Sequence, residues 1–583
     1  MSDALSATPA RRSRSRRSSH WLARAIFVWA LLMAPLLWWG LPSTRQDRLL
    51  FGGASPWPAE RYHVEADLEQ LSARNAGADT DLNPLDQRDR VIDLTSNDAA
   101  RAEILRRYRL FSHQPDEMII FRALQRMHPR RLDFDPRLYQ YGGGYIYLVG
   151  AAVGASSALG ITHLTSDPAY YLQEPDAFGR FYVVARFISL AFGALTLVAV
   201  HKLARRAGGH TAAWIATVCT AAAPVFITAV LEAKPHLPSA CLVLWTILFA
   251  LNYHFHGRRG AAVRMGLVAG GAFGLVLTGA LAALLWPAVL CTASPGARVR
   301  TLRHLLLAGG LALLIYVITN PYIPYNYFCN RAALTSNISN STAMYREQII
   351  RALDGAVHVV GLLVEGAGVG VVFMGLVGLA RLLRRRTAPT SIAAATGIGM
   401  LGLCILLGAG KPAEFARFLI LPILLLIVAG AWMLSRLVQR HVLLGVVGSL
   451  AVLAATPTTA YIRSFYVDAR AEHVSRFEAG CYLAEHAAPN DAIGVFQEPA
   501  PYAVPPLDFA QRRIQLLPTC TPRDFDRAAL PAWLVFTADD DAAQPGTWWR
   551  EEYQLAVRFP PPGSSLSPIA WANKPVFVYR RAP

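Results

Sequence analysis

Two adjacent acids, Asp116 and Glu117, open the amphipathic stretch SHQPDEMIIFRALQRM at residues 112–127. An ionised carboxylate beside a hydroxyl takes up its proton, so either acid has the chemistry of a general base. Lys234, Lys411 and Arg417 stand in short polar breaks between apolar runs. A cation placed there binds an anion such as a phosphate, or snorkels to the membrane surface. Tyr139, Tyr141 and Tyr145 follow the acids in an aromatic, Gly-rich segment. They line a polar site or sit in the headgroup belt. Glu365 closes a second amphipathic stretch, IIRALDGAVHVVGLLVEG, near the outer end of an apolar run. No metal-ligand spacing, Walker-type loop or nucleophile elbow occurs.

Local pattern explains how the acids are placed. Pro115 suits a first helical turn, where its missing N–H costs nothing. Asp116 and Glu117 then sit where the helix dipole favours carboxylates, which is also the plain structural reason for acids there. Successive helical residues point about 100° apart, so at most one of the pair faces a given site. Ile120, Ala123, Leu124 and Met127 recur at helical spacing while Arg122, Gln125 and Arg126 fall elsewhere, as in a helix lying on a membrane surface.

The chain has 583 residues, 54% hydrophobic and only 16% charged, which excludes an ordinary soluble protein and predicts a polytopic membrane protein. The formal net charge of +17 does not point to nucleic acid, because the Arg and Lys residues cluster at the ends of apolar runs. Residues 1–21 read as a cytoplasmic basic tail, followed by an uncleaved first span at 22–41 running outward. Residues 42–182 form a large external loop carrying surface helices. Further spans are expected at 183–203, 211–231, 239–255, 265–279, 280–294, 305–320, 367–381, 389–409, 418–435 and 441–461. That makes about eleven, with basic inner loops such as HGRRGAAVR and RLLRRRT. The stretch 141–164 is expected to lie in the interface or re-enter, because a crossing there would place the basic segment after 203 outside. The fold class is therefore all-α and polytopic over 22–464, with a soluble external α/β domain at 465–583. DAIGVFQ, AWLVFTAD, YQLAVRF and KPVFVYRR read as its strands. About 120 residues suffice for a domain that folds alone. Cys481 and Cys520 fall in that domain and form a disulfide or remain free thiols.

The order of these features resembles a known superfamily. The acidic pair comes soon after the first span and is followed by HPRRLDFDPRLYQYGGGYIYL, VVARFISLAFGALTLVAVHKLARRAGG and PVFITAVLEAKPHLPSACLVL. TNPYI at 319–323 and EFARFLILPILLL at 414–426 complete the pattern. Together they resemble the GT-C superfamily of polyprenyl-phosphate-dependent glycosyltransferases, nearest the protein O-mannosyltransferase and lipid A aminoarabinose transferase branch. The resemblance implies transfer of a sugar from a polyprenyl-phosphate donor to a hydroxyl at the outer membrane face, with inversion. It implies Asp116 as the general base, with Glu117 positioning a substrate or capping the helix. Arg417, then Lys411, then Lys234 would bind the donor phosphate, and Tyr139, Tyr141 and Tyr145 would line the sugar site. YQYGGGY and His236 depart from the family's pattern, so donor and acceptor do not carry over.

No cofactor is expected, and the lack of a dense acidic cluster speaks against a divalent metal without deciding it. Expected partners are the lipid-linked sugar, a lipid, glycan or protein acceptor and membrane lipids. Richness in Ala, Arg, Leu and Gly points to a bacterium with a GC-rich genome, placing the chain in the inner membrane with its C-terminal domain in the periplasm. Two readings compete. A transporter or flippase of a lipid-linked saccharide would carry ionisable groups at mid-bilayer depth and inverted repeats, and neither is visible. A non-catalytic scaffold of envelope assembly would work through its external domain.

Overall fold

The computed structural model describes residues 9–62, 91–345, 352–407, 414–471, 473–518, 529–538, 548–560 and 570–582. Among them, seven helices are long and apolar enough to cross a membrane: His20–Trp38, Pro175–Ala222, His236–His256, Pro295–Thr319, Ala388–Leu406, Arg417–Arg440 and Val442–Arg470. The pair Leu353–Ala367 and Val369–Arg384, bent by 112°, makes an eighth if it is one broken span. The eleven expected spans differ from this for identifiable reasons. The 48-residue helix Pro175–Ala222 turns at Gly209, whose φ of +78° suits a residue without a Cβ, so one helix holds most of two expected spans. Arg259–Leu275 has 17 residues, and the expected span at 280–294 is a 3-10 stretch, Leu277–Leu284, leading into the short helix Leu285–Cys291.

Helices approach closely where side chains are small. Gly266 and Gly270, one turn apart, meet Ala308 and Ala312 of Arg298–Thr319, and a Cβ on Gly266 would lie 2.4 Å from the Ala308 carbonyl oxygen. Such small-residue seams let backbones pack without help from water. The stretch expected to re-enter forms a helix, Gly143–Ala158. Its 16 residues span roughly 24 Å, short of the roughly 30 Å hydrocarbon core. Its N-terminus is pinned by the Tyr141–Val276 bridge and by Gly143 N–H, which donates to Asn320 Oδ1 at 2.7 Å.

Beyond the membrane helices lies a six-stranded sheet. Its strands are β1 (Ile92–Asp93), β2 (Ile493–Val495), β3 (Ile514–Leu516), β4 (Trp533–Thr537), β5 (Tyr553–Phe559) and β6 (Val576–Arg581), in the order β1-β3-β2-β4-β6-β5. β2 pairs in parallel with β3 and β4, and the other pairs are antiparallel. Side chains alternate between two buried faces, as a strand's period of two requires. Val535, Val576 and Val578 face one core, while Leu534, Phe536, Phe577 and Tyr579 face Phe496 and Trp549 in the other. The first core is completed from the segment that follows the first membrane helix. Phe51, Tyr62, Ala102, Leu105 and Tyr108 pack in it beside Ala479 and Leu483. Tyr108 donates to the Val504 carbonyl at 2.8 Å, and Arg101 to that of Phe509 at 2.7 Å. One edge strand, β1, also lies outside the expected 465–583 domain. Cys481 is a free thiol, and Cys520 lies outside the described residues.

Because Phe51, Tyr62, Ala102, Leu105 and Tyr108 complete one of the two cores against the sheet, residues 465–583 expressed alone should show no cooperative thermal transition by circular dichroism. A sharp transition in that fragment would show the loop contribution to be dispensable.

Candidate active site

The chain leaves its first membrane helix through Trp39 and Gly40 and is fastened there. Trp39 Nε1 donates to the Leu231 carbonyl at 2.8 Å. Gly40 N–H donates to Asp468 Oδ1 at 3.0 Å, and the other oxygen of Asp468 meets His113 Nδ1 at 3.0 Å and accepts from Asn573 N–H at 2.9 Å. The acidic pair follows His113. The helix beyond it, Glu117–Gln125, buries Met118, Ile120, Phe121 and Ala123 against protein, with Phe121 edge-on to Tyr182 at 4.8 Å. Its inner face, expected at a lipid surface, is thus part of the core.

The two acids take separate roles. Glu117 is wholly buried and pairs with an equally buried Arg186, which donates from Nε at 2.9 Å and from Nη2 at 2.7 Å. Ser112 Oγ donates to the same carboxylate at 2.6 Å and Ala233 N–H at 2.8 Å. Four donors saturate it, so Glu117 neither caps the helix through solvent nor has an oxygen left for substrate. Asp116 points elsewhere. Its Oδ2 meets Lys234 Nζ at 3.1 Å and accepts from Arg417 Nη1. It makes no side-chain cap to its helix. Burial pushes the Asp116 carboxyl up, but Lys234 and then Arg417 outweigh this and hold it well below the usual carboxylate range. Neighbouring cations, rather than the helix dipole, keep it ionised.

Two of the three cations singled out in the sequence therefore converge on Asp116 from segments about 120 and 300 residues away. Lys411 lies outside the described residues. Of the tyrosines, only Tyr141 belongs to this cluster. Burial first and the Asp116 charge second raise its phenol, and its ring stands edge-on to His236 at 6.0 Å. Tyr139 donates to Asp135 at 3.0 Å and meets Asn326 Nδ2 at 2.5 Å, in a separate cluster. Tyr145 is fully buried among Ile120, Phe121 and Tyr182. Glu365 sits on Ala352–Ala367, a helix packed against the Glu414–Leu419 turn that carries Arg417. A groove of about 2360 Å³ is lined by Phe121 and Leu124 of the Glu117–Gln125 helix with Arg126, Arg130, Tyr147 and Asn326.

Two further residues complete the cluster. Glu232, 4% exposed, lies 3.4 Å from Lys234 Nζ. Burial raises its carboxyl, Lys234 offsets this in part, and Glu117 and Asp116 add to the rise. His236, 6% exposed, stands edge-on to Phe418 at 4.9 Å. The signal for both was present, since Glu232, Lys234 and His236 alternate in EAKPH at the end of an otherwise uncharged run. Ionisable groups in that setting are functional candidates by default. Among the described residues, no group of three or more His, Cys, Asp or Glu side chains is placed to hold a metal ion.

Residues 177–323, which include Arg186, Glu232, Lys234 and His236, match the family model described as dolichyl-phosphate-mannose-protein mannosyltransferase. The chain resembles the GT-C glycosyltransferases. No curated protein matches this chain. Among solved structures, ArnT from Cupriavidus metallidurans bound to undecaprenyl phosphate is similar with a TM-score of 0.41 and 15% identity, over 82% of this chain and 96% of that one. The archaeal oligosaccharyltransferase AglB from Archaeoglobus fulgidus, in complex with an inhibitory peptide and a dolichol-phosphate, gives a TM-score of 0.40 and 15% identity over 82% and 62%. The Archaeoglobus fulgidus oligosaccharyltransferase with zinc and sulfate gives 0.36 and 16% over 70% and 56%. The chain thus spans less than two thirds of the length of the archaeal proteins.

Glu117→Gln leaves Arg186 buried without its counter-charge and should cost about 3–5 kcal/mol, read as a lowered melting midpoint of the purified protein. Asp116→Asn, at a 25% exposed side chain, should shift the midpoint far less. Equal shifts would contradict the division of roles between the two acids.

Proposed function

We propose that the chain is an integral membrane glycosyltransferase that moves a sugar from a polyprenyl-phosphate donor to a hydroxyl acceptor, with inversion, at the outer face of a bacterial inner membrane. The observation that carries the reading is the hold of Lys234 and Arg417 on Asp116. The family match over 177–323 supports it.

The cations suit the leaving group. A sugar linked through a phosphodiester carries one negative charge, and the released lipid monoester carries up to two. Charge therefore develops on phosphate oxygen as the anomeric C–O bond breaks, and Lys234 and Arg417 oppose it in a poorly solvated site. Asp116 has the place of the base. The acceptor oxygen forms its bond to the anomeric carbon, its proton passes to the Asp116 carboxylate, and the electron pair of the broken bond stays on the phosphate. While both cations hold Asp116 it is a weak base. A donor phosphate competes for the same two cations, loosens their grip and raises the basicity of Asp116. Donor binding thus switches on the base and favours donor before acceptor.

In nanodiscs with radiolabelled polyprenyl-phosphate sugars, Asp116→Asn should reduce transfer by about 10²–10⁴-fold. It should bind sugar-free polyprenyl phosphate as tightly as the wild type or more so, because asparagine competes poorly for Lys234 and Arg417. Transfer equal to wild type would sink the assignment of the base, and loss of lipid phosphate binding would sink the competition.

A further inference from the structure

Both ring nitrogens of His236 are buried, and among the described residues neither has a hydrogen-bond partner. Orphaned polar atoms of this kind are rare in folded proteins, since each carries a desolvation penalty that nothing repays. His236 is not remote from the site. Its ring lies edge-on to Tyr141 and Phe418, and the charges of Arg417, Lys234 and Asp116 surround it. A phosphate, which only accepts hydrogen bonds, has Lys234 and Arg417 for its donors. An imidazole with one N–H and one lone pair instead matches a hydroxyl, which both donates and accepts. Flanking aromatic rings suit the apolar C–H faces of a sugar.

We infer that His236 hydrogen-bonds a hydroxyl of the donor's sugar and sets which sugar the site accepts. This rests on the reading of Lys234 and Arg417 as ligands of the donor phosphate. His236 is then a specificity residue, with neither ring nitrogen taking the acceptor's proton.

The test measures binding to the full-length protein in nanodiscs. The probes are undecaprenyl phosphate alone and the same lipid carrying mannose, glucose, galactose, N-acetylglucosamine or aminoarabinose. In wild type, at least one sugar-bearing lipid should bind roughly tenfold tighter than the other sugar-bearing lipids, whose phosphodiester carries the same charge, the worth of about one good hydrogen bond. His236→Phe keeps the ring and removes both nitrogens. It should abolish that preference, leave bare-lipid affinity unchanged and leave the melting midpoint equal or higher. His236→Gln, which again donates and accepts, should restore part of the preference. A sugar preference surviving in His236→Phe, or no preference in wild type across the panel, overturns the inference. Lys234→Met tests the underlying reading separately. If bare-lipid binding is absent in wild type or unaffected in Lys234→Met, the phosphate assignment fails and the inference falls with it.

Discussion

The ion pair between Glu117 and Arg186 lies at 0% exposure on both side chains, and distant segments of the chain meet at it. A buried charge is tolerated only when its hydrogen-bonding capacity is filled. Arg186 also donates from Nη1 to the carbonyls of Leu37 and Trp39, at the end of the first membrane helix. Glu117 fills its own with Ser112 and Ala233. Four separate segments are thereby held to one point. Asp116, the neighbouring residue, is carried to a fixed place and turned away from the pair. One acid is spent on position so that the other is available for chemistry.

The second arrangement is a balance rather than a lock. Asp116 is partly exposed and shares its cations, Lys234 also lies near Glu232, and Arg417 comes from a late turn. Burial pushes the carboxyls of Asp116 and Glu232 the same way, yet cations lower only the first below its ordinary range. Two acids beside one lysine are thus driven apart, and divergent environments of that kind separate the roles of titratable groups.

Much of this was legible in the sequence, for physical reasons that differ by element. The spans at 239–255, 305–320 and 418–435 are continuous apolar runs bounded by charge, and each has its helix. Each of the four stretches read as strands contains one, because alternation over several residues is a strong signal. β1 has two residues, too few for any period, and joins the sheet only through β3, more than 400 positions away. Arg417 and Lys234 stood out because few cations stand in the short polar breaks between apolar runs, and Asp116 because it is paired with Glu117 at the start of a helix. Arg186 did not, since one arginine early in an apolar run reads as a snorkelling residue. Tyr139 and Tyr145 carry the same local pattern as Tyr141, and only the three-dimensional course of the chain separates them.

The shared core beneath the sheet bears on how the molecule is made. Leu105 and Tyr108 emerge from the ribosome about 390 to 470 residues ahead of Val495, Val535 and Val578, against which they pack. In between, every later membrane helix must be threaded into the bilayer. At about 5–20 residues per second, these apolar side chains wait for tens of seconds without their permanent cover. The C-terminal segment therefore acts as a closing step in biogenesis, and chains stalled or cut before it leave an apolar surface that quality-control proteases recognise.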